Sequence, residues 1–191
     1  MVSTNSCIVG IDYSTSSPCI CISAKNDYDF HYLTKVKKHV GEKEFDCGIM
    51  EGTLLPKEFD SKIEQYSFIA KWAIDVLDRY DPAKVYLEDY AFAATGKVFH
   101  IGENTGILKY RLMKREIPYS VVAPTTVKSN TIGKGNASKD EAIEKFNSCF
   151  QTNIYDILDT GTINPASDIA DSYLICTYGI CLLYTSDAAD E

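Results

Sequence analysis

Two short apolar segments of the sequence each end in a carboxylate, and this feature constrains the fold more than any other. Residues 7–12 read Cys-Ile-Val-Gly-Ile-Asp, and residues 85–88 read Val-Tyr-Leu-Glu. Both segments have the length and composition of buried strands. A carboxylate that follows such a strand is costly to bury without a partner. If the two strands are neighbours in one sheet, Asp12 and Glu88 lie close together.

The remaining segments predict a strand-and-helix protein. Further β-rich segments cover residues 18–24, 29–36 and 119–123. Helical periodicity and capping signals predict helices over residues 60–80, 102–115, 138–150 and from Asn164-Pro165 onward. Residues 39–58 mix glycine, proline and charge, which indicates a loop or an inserted excursion. This order predicts an α/β fold with a mixed central β-sheet flanked by helices, rather than an all-parallel sheet.

The composition is that of an ordinary globular chain. Its 191 residues favour a single domain, and 45% of them are hydrophobic. No apolar segment approaches the roughly 18 residues that a membrane span needs, and the first residues lack a secretory signal. We therefore expect a cytoplasmic protein with no membrane partner. The net charge of −8 argues only weakly against nucleic-acid binding, because local fields matter more than totals.

The cysteines predict no metal site or disulfide framework. The chain has seven, an odd number, and none belongs to a Cys-x-x-Cys pair with zinc-ligand spacing. Cys19 and Cys21 alternate in an apolar segment, so both would lie on one face of a strand. We expect buried, reduced thiols.

The last eleven residues, 181–191, resemble the conceptual translation of a common transposase sequencing adapter. Such a segment would not belong to the native fold. We expect a single domain over residues 1–180, with the last helix cut short at Ile180 and a tail that is not native. The alternative is a natural acidic tail.

Two further acids complete a carboxylate constellation. Asp168 and Asp171 are spaced i and i+3 in the first turns of the last helix, so they share a face. If that helix packs over the ends of the two strands, four carboxylates converge and require a cation. An all-oxygen site suits Mg²⁺ or Mn²⁺, and two such ions can support phosphodiester hydrolysis. Alternatively, Asp12 is a turn residue, Glu88 or Asp89 is solvated, and Asp168 only begins the helix.

Several motifs together resemble the RuvC family of Holliday junction resolvases, which have an RNase H-like fold. Gly10-Ile11-Asp12 and Leu87-Glu88-Asp89-Tyr90 resemble the two acidic strands of the family. Val127-Lys128 with Gly133 to Lys139 resembles the pattern V-K…G-x-G-x-A-x-K, and Asn164-Pro165 with Asp168 and Asp171 resembles the closing N-P…D-x-x-D. Tyr13-Ser14 stand where the family commonly has Pro-Gly. The divergence and compactness suit a bacteriophage protein, whose site of action would be the host cytoplasm.

The resemblance implies a metal-dependent endonuclease that cleaves four-way and other branched DNA as a homodimer, with residues 102–115 contributing to dimerisation. It implies a nuclease site with two Mg²⁺, for which Mn²⁺ can substitute, and 5′-phosphate and 3′-hydroxyl products. The catalytic residues and metal ligands implied are Asp12, Glu88, Asp168 and Asp171.

Candidate DNA-binding residues lie between the second and third acids. Residues 84–145 carry ten Lys/Arg and seven Asp/Glu, which is +3 against −8 overall. In the family an aromatic residue after the second acid probes the junction, and Tyr90, Phe92 or Phe99 could do so here. The basic candidates are Lys97, Arg111, Lys114, Lys128, Lys134 and Lys139. The alternative is a solvated basic face.

Two other functions remain open. A non-catalytic module that binds branched DNA could use the same fold, although the intact acids argue against it. An actin-like ATPase shares the Gly-Ile-Asp motif, but this chain is short and contains only one half of that nucleotide-binding fold.

Overall fold

The computed structural model describes residues 7–25, 27–89 and 98–187. A seven-stranded sheet has the order β4-β5-β3-β2-β1-β6-β7. The strands are β1 Cys7–Asp12, β2 Cys19–Ala24, β3 Asp27–Thr34, β4 Gly41–Phe45, β5 Gly48–Leu54, β6 Pro82–Glu88 and β7 Tyr119–Val122. The helices are α1 Lys62–Leu77, α2 Val98–Lys114, α3 Pro124–Thr131, α4 Lys139–Phe150, α5 Ile154–Leu158 and α6 Ile163–Asp187, and a 3-10 turn covers Lys37–His39.

Strand direction brings the C-terminal ends of most strands to one edge of the sheet. β1 is parallel to β6, and β6 is parallel to β7. β2 is antiparallel to both β1 and β3, and β3 is parallel to β5. Five strands therefore end at the same edge of the sheet, which we call the carboxylate edge because β1 and β6 end there in Asp12 and Glu88. The predicted mixed sheet flanked by helices is confirmed.

Helices cover both faces of the sheet. α1 and α2 pack on one face, where alternate β1 residues such as Val9 and Ile11 are buried against them. α4 and α6 pack on the other face, against a core that includes Cys19, Cys21 and Tyr86. The alternation along each strand thus separates two apolar cores, as a sheet buried on both faces requires.

Helix α6 lies directly on β1 at Gly10. A Cβ atom at Gly10 would lie 2.2 Å from the backbone nitrogen of Cys176 and 2.5 Å from the carbonyl oxygen of Ser172. Only glycine permits this approach of the two backbones. The close packing holds the first turns of α6 over the end of β1, where Asp12 lies.

The prediction of a loop over residues 39–58 is wrong, because β4 and β5 form an antiparallel hairpin there. β4 is an edge strand with three consecutive charged residues, so its sequence carries little apolar signal. β5 contains Gly52, where a Cβ atom would lie 1.9 Å from the carbonyl oxygen of His39. Glycine is therefore needed inside this strand, although it weakens the strand pattern.

Two short helices, α3 and α5, were not predicted. Pro124 begins α3 at a favoured first position, but the helix is polar and rich in threonine, which gives it no helical apolar period. The other predicted elements are confirmed with boundaries shifted by up to four residues. The capping box at Ser138 and Glu141 is present.

The cysteines were expected to be buried and reduced. The described structure contains no disulfide. Cys7, Cys19, Cys21 and Cys176 are buried, as expected. Cys149 and Cys181 are exposed, contrary to expectation.

α6 continues from the predicted boundary at Ile180 to Asp187, and the non-native origin of residues 181–191 stays a prediction. Among the described residues, no helix is long and apolar enough to cross a membrane.

Candidate active site

Asp12 and Glu88 lie side by side at the carboxylate edge. Ile11 of β1 pairs with Leu87 of β6 in parallel register, which places the next residue of each strand next to the other. Asp168 is buried in the first turns of α6, and Asp171 follows one turn later on the same face. The contact of α6 with β1 brings both pairs together, so three elements position the four predicted carboxylates.

The four carboxylates interact electrostatically. Burial raises the pKa of Asp12 well above its ordinary value, and the charges of the other three acids raise it further. Burial and the charge of Asp171 raise the pKa of Glu88 to about 7. The pKa values of Asp168 and Asp171 are raised as well, mainly by burial. The cluster therefore concentrates negative charge in a partly desolvated place, which is unfavourable without cations.

Lys128 and Lys139 supply positive charge to this cluster. Lys128 Nζ lies 3.6 Å from Asp171 Oδ1 and donates a hydrogen bond to the Ala137 carbonyl oxygen at 3.2 Å. Lys139 Nζ donates to Ser167 Oγ at 3.3 Å. Both ammonium groups lower the pKa of Glu88 and of Asp171, against the effect of burial. The two lysines singled out by spacing thus lie at the carboxylates.

A tight turn between α3 and α4 brings the two lysines together. Gly133 follows Ile132, the C-cap of α3, and its φ of +103° is a conformation that favours glycine. The amide nitrogen of Gly133 donates to the carbonyl oxygens of Lys128 and Ser129, which closes the helix end. The chain then returns to begin α4 at Lys139 after the N-cap Ser138.

Two carboxylate oxygens in the cluster are available as ligands. Asp168 Oδ2 and Asp171 Oδ1 are buried and accept no hydrogen bond in the described structure. Oxygen donors of this kind suit Mg²⁺ or Mn²⁺. Within the described ranges, no three His, Cys, Asp or Glu side chains are close enough to form a ready metal shell. The chemistry of the donor set, four carboxylates, fits a hard divalent cation.

The other predicted DNA-binding residues lie farther from the cluster. Lys134 forms an ion pair with Glu141 at the start of α4 and lowers the pKa of that carboxylate to about 2. Arg111 donates to Ser67 Oγ at 3.1 Å, between α2 and α1. α2 runs away from the carboxylate edge, so Lys114 lies at the opposite end of the sheet. Their contact with DNA stays a prediction.

The predicted junction-probing residues are only partly described. Tyr90, Phe92 and Lys97 lie outside the described residues. Phe99, the third aromatic candidate, is in the first turn of α2 with 82% of its surface exposed.

Sequence reasoning assigned no role at the site to three polar residues that support the acids, although one of them, Asn164, belongs to the Asn-Pro motif. A hydrogen bond from Ser17 lowers the pKa of Asp168 against the effect of burial. Ser167 Oγ donates to Asn164 Oδ1 at 2.9 Å while it accepts from Lys139. Serines and asparagines are common in loops and caps, so their types carried no signal. Only the fold shows that the β1–β2 loop meets the start of α6.

Comparisons with known proteins find related sequences. Residues 45–173 match the family described as "Crossover junction endodeoxyribonuclease RuvC". This range begins within residues 39–58, where an insertion was expected. RuvC of Chlamydia abortus is 30% identical over 128 residues, which are 66% of this chain and 72% of that protein. Asp12 lies before the matched range, and its place rests on the sheet register.

Solved structures share the fold. The structure "T. thermophilus RuvC in complex with Holliday junction substrate" has a TM-score of 0.56 at 17% identity, covering 90% of each chain. The yeast mitochondrial Holliday junction resolvase Ydc2 has a TM-score of 0.59 at 14% identity, covering 91% of this chain and 77% of that one. At these identities the likeness shows the RNase H-like fold alone. The family match and the sequence relatives together show that the chain belongs to the RuvC family of crossover junction endodeoxyribonucleases.

Proposed function

We propose that this protein is a metal-dependent endonuclease that cleaves four-way and other branched DNA. The observation that carries the proposal is the convergence of four carboxylates from β1, β6 and α6 with two lysines at one edge of the sheet. Membership of a nuclease family supports this function. A purely structural cluster would have less reason to keep four acids close together, because their repulsion is unfavourable.

We propose Mg²⁺ as the cofactor, two ions per site, with Mn²⁺ able to replace it. Asp12, Glu88, Asp168 and Asp171 would hold the ions, and the unpartnered oxygens of the last two support this. When bound by these residues, the ions would supply the activation of a water for attack on phosphorus and the stabilisation of the leaving oxygen. Removal of charge repulsion among the acids would also stabilise the folded protein.

The two lysines are suited to hold the scissile strand. The ammonium groups of Lys128 and Lys139 lie beside the acids, and both keep donor protons beyond their single hydrogen bonds. A phosphate that enters the site would accept those protons, and this orients the phosphodiester toward the carboxylates. The lysines thus bind and position the substrate, while the acids hold the cations.

We also propose a two-fold homodimer, since paired cuts across a junction need two sites. α2 supports it with an exposed apolar stripe on the face away from α1. Phe99, Tyr110 and Met113 are 82%, 59% and 57% exposed, and Gly102 and Gly106 face open space between them. These positions recur at i+3 and i+4 steps, so they share one face. A second copy of the chain is the occupant that two sites per junction require.

Cleavage of a synthetic four-way junction tests the proposal. We expect the wild-type protein to cut the junction in Mg²⁺, and not a linear duplex of the same sequence or the junction in excess chelator. Asp168→Asn should still bind the junction and should cut it at least about 100-fold more slowly, since charge held at the transition state is lost. Asp75→Asn, which changes an exposed acid on α1 that pairs with Lys71, is the matched control.

The outcomes separate the candidate functions. Junction binding by the wild-type protein with no cutting in Mg²⁺ or Mn²⁺ would favour the non-catalytic module. Equal cutting by the wild type and Asp168→Asn would contradict the assignment of the acids.

A further inference from the structure

A groove outside the carboxylate cluster opens along the same edge of the sheet. It follows the ends of β3 and β5 and has two parts of about 500 Å³, one at the start of α1 and one between the two strand ends. A third cavity of about 170 Å³ joins the groove to the loop after β1 and to Asn164-Pro165 at the start of α6. Lys35 lines all three. The path therefore leads from the active site across the sheet edge.

The charge of this path is strongly positive. Lys35, Lys37, Lys57 and Lys62 line it and are exposed, whereas Glu58 is the one acidic residue along its described walls. None of the four lysines forms an ion pair with a described residue, in contrast to Lys71 with Asp75 or Lys134 with Glu141. Positive charge gathered in this way along an open groove suits a polyanion.

A buried histidine without partners lies at the junction of this path with the active site. His39 is 2% exposed and lines the 170 Å³ cavity, and neither of its ring nitrogens has a hydrogen-bond partner in the described structure. Its backbone is fixed, because the His39 carbonyl oxygen accepts from the hydroxyl of Tyr32 at 2.9 Å. A buried polar ring without partners is unfavourable unless a ligand completes its hydrogen bonds.

We propose that Lys35, Lys37, Lys57, Lys62 and His39, which we call the lysine groove, bind the phosphate backbone of the DNA arm that leaves the carboxylate cluster. This inference rests on the proposed function, since it takes the substrate to be DNA. Ser17 borders the cavity and also hydrogen bonds Asp168, so a strand held at the scissile phosphate is at the entrance of the groove. The lysines then contact successive phosphates, and His39 donates its ring N–H to a phosphate oxygen.

A salt titration of junction binding tests the groove. The protein carries Asp168→Asn to prevent cutting, and binding is measured in chelator. The double variant Lys35→Gln with Lys57→Gln should make the plot of log binding constant against log salt concentration less steep by about 2. Each phosphate contact contributes about 0.9 to this slope. Affinity at moderate salt should fall about tenfold. Lys25→Gln with Lys71→Gln removes the same charge at the far end of the sheet and on the outer face of α1, and should leave the slope unchanged.

The histidines provide an independent readout, because the chain contains only three. In protein with ¹³C-labelled histidine, junction DNA should shift the ring signals of His39, assigned by His39→Gln. The ring of His31 should stay unchanged, since Glu51 and Tyr80 already occupy its nitrogens at 2.8 Å. A His39 signal that does not move while the junction is bound would overturn its role in the groove.

Failure of this inference is distinguishable from failure of the proposed function. If the wild type cuts the junction but the groove variants bind it with the same salt slope, the proposed role of the lysine groove is wrong. The proposed nuclease function is then still supported. If the wild type never cuts but the groove variants lose slope and affinity, the groove stands and the nuclease proposal fails. A slope that falls equally in the Lys25/Lys71 control would also overturn the groove, because it would show a general charge effect.

Discussion

Lys128 Nζ lies 3.6 Å from Asp171 Oδ1, and the two side chains are only 18% and 15% exposed. This pair joins α3, the helix that follows β7, to α6, which carries two of the four acids. Because the distance exceeds that of a hydrogen bond, the ammonium group keeps protons for a further acceptor. Lys128 can therefore donate a hydrogen bond to the substrate while it stays beside Asp171.

Lys128→Met should weaken both junction binding and cleavage. Loss of one phosphate contact should reduce the salt slope of binding by about 0.9, and cleavage in Mg²⁺ should fall at least about tenfold. Fluorescence anisotropy and single-turnover cleavage measure the two effects. Lys128→Arg, which keeps the charge, should recover most of the slope. Unchanged slope and rate in Lys128→Met would remove this lysine from the substrate site.

The acids could be predicted from the sequence because each lies at the boundary of an element. Asp12 and Glu88 end apolar strands, and Asp168 and Asp171 share a helix face. The place of each acid within its element therefore indicates where its side chain lies in the fold. Lys128 and Lys139 were predicted from the family pattern. Their closeness to the acids depends on the Gly133 turn and on the packing of α3 and α4 against α6, which local patterns do not encode.

The lysine groove could not be predicted from the sequence. Residues 35–62 contain six lysines and six acids, so the segment carries no net charge. The hairpin of β4 and β5 separates them: Glu51 pairs with Arg79 and His31 at another site, while Lys35 and Lys57 meet at the strand ends. Because the separation is made by tertiary structure, neither composition nor periodicity reports it.

Glu88→Gln should stabilise the metal-free protein at pH 8. The pKa of Glu88 is raised from 4.5 to about 7, so the folded state holds this proton more tightly than the unfolded state. Stability from this group is complete below pH 4.5, falls as the pH rises through 7, and is lost above it. The variant should gain up to about 3 kcal/mol at pH 8 and nothing at pH 4.5. Denaturant unfolding at both pH values measures the difference.

The controls for Glu88→Gln are an exposed acid and the cofactor. Glu144→Gln on α4 changes the same charge at the surface and should show no such pH dependence. Added Mg²⁺ should raise the melting temperature of the wild type more than that of Glu88→Gln, because cations relieve the repulsion that the substitution removes. If Glu88→Gln is less stable than the wild type at pH 8, the inference that the charged Glu88 destabilises the metal-free protein is wrong.

Gly10→Ala should destabilise the protein and misplace its acids. The new methyl group would lie 2.2 Å from the backbone nitrogen of Cys176, so α6 must shift, at a cost of about 3 kcal/mol. The shift moves Asp168 and Asp171 away from Asp12, and cleavage should fall at temperatures where the variant is still folded. Gly161→Ala has open space around the new methyl group. It should change the free energy of unfolding by less than about 0.5 kcal/mol and the cleavage rate by less than about twofold.

Tyr110→Asp with Met113→Asp should separate the proposed dimer. Two acids in the apolar stripe of α2 would meet their symmetry mates across the two-fold axis, so both desolvation and repulsion oppose association. Sedimentation should change from twice 21.3 kDa to a single chain. The monomer should nick junctions without paired cuts. Ile63→Asp, an exposed apolar residue on α1, is the control and should stay dimeric. A wild type that sediments as a monomer even with junction DNA bound would refute this use of α2.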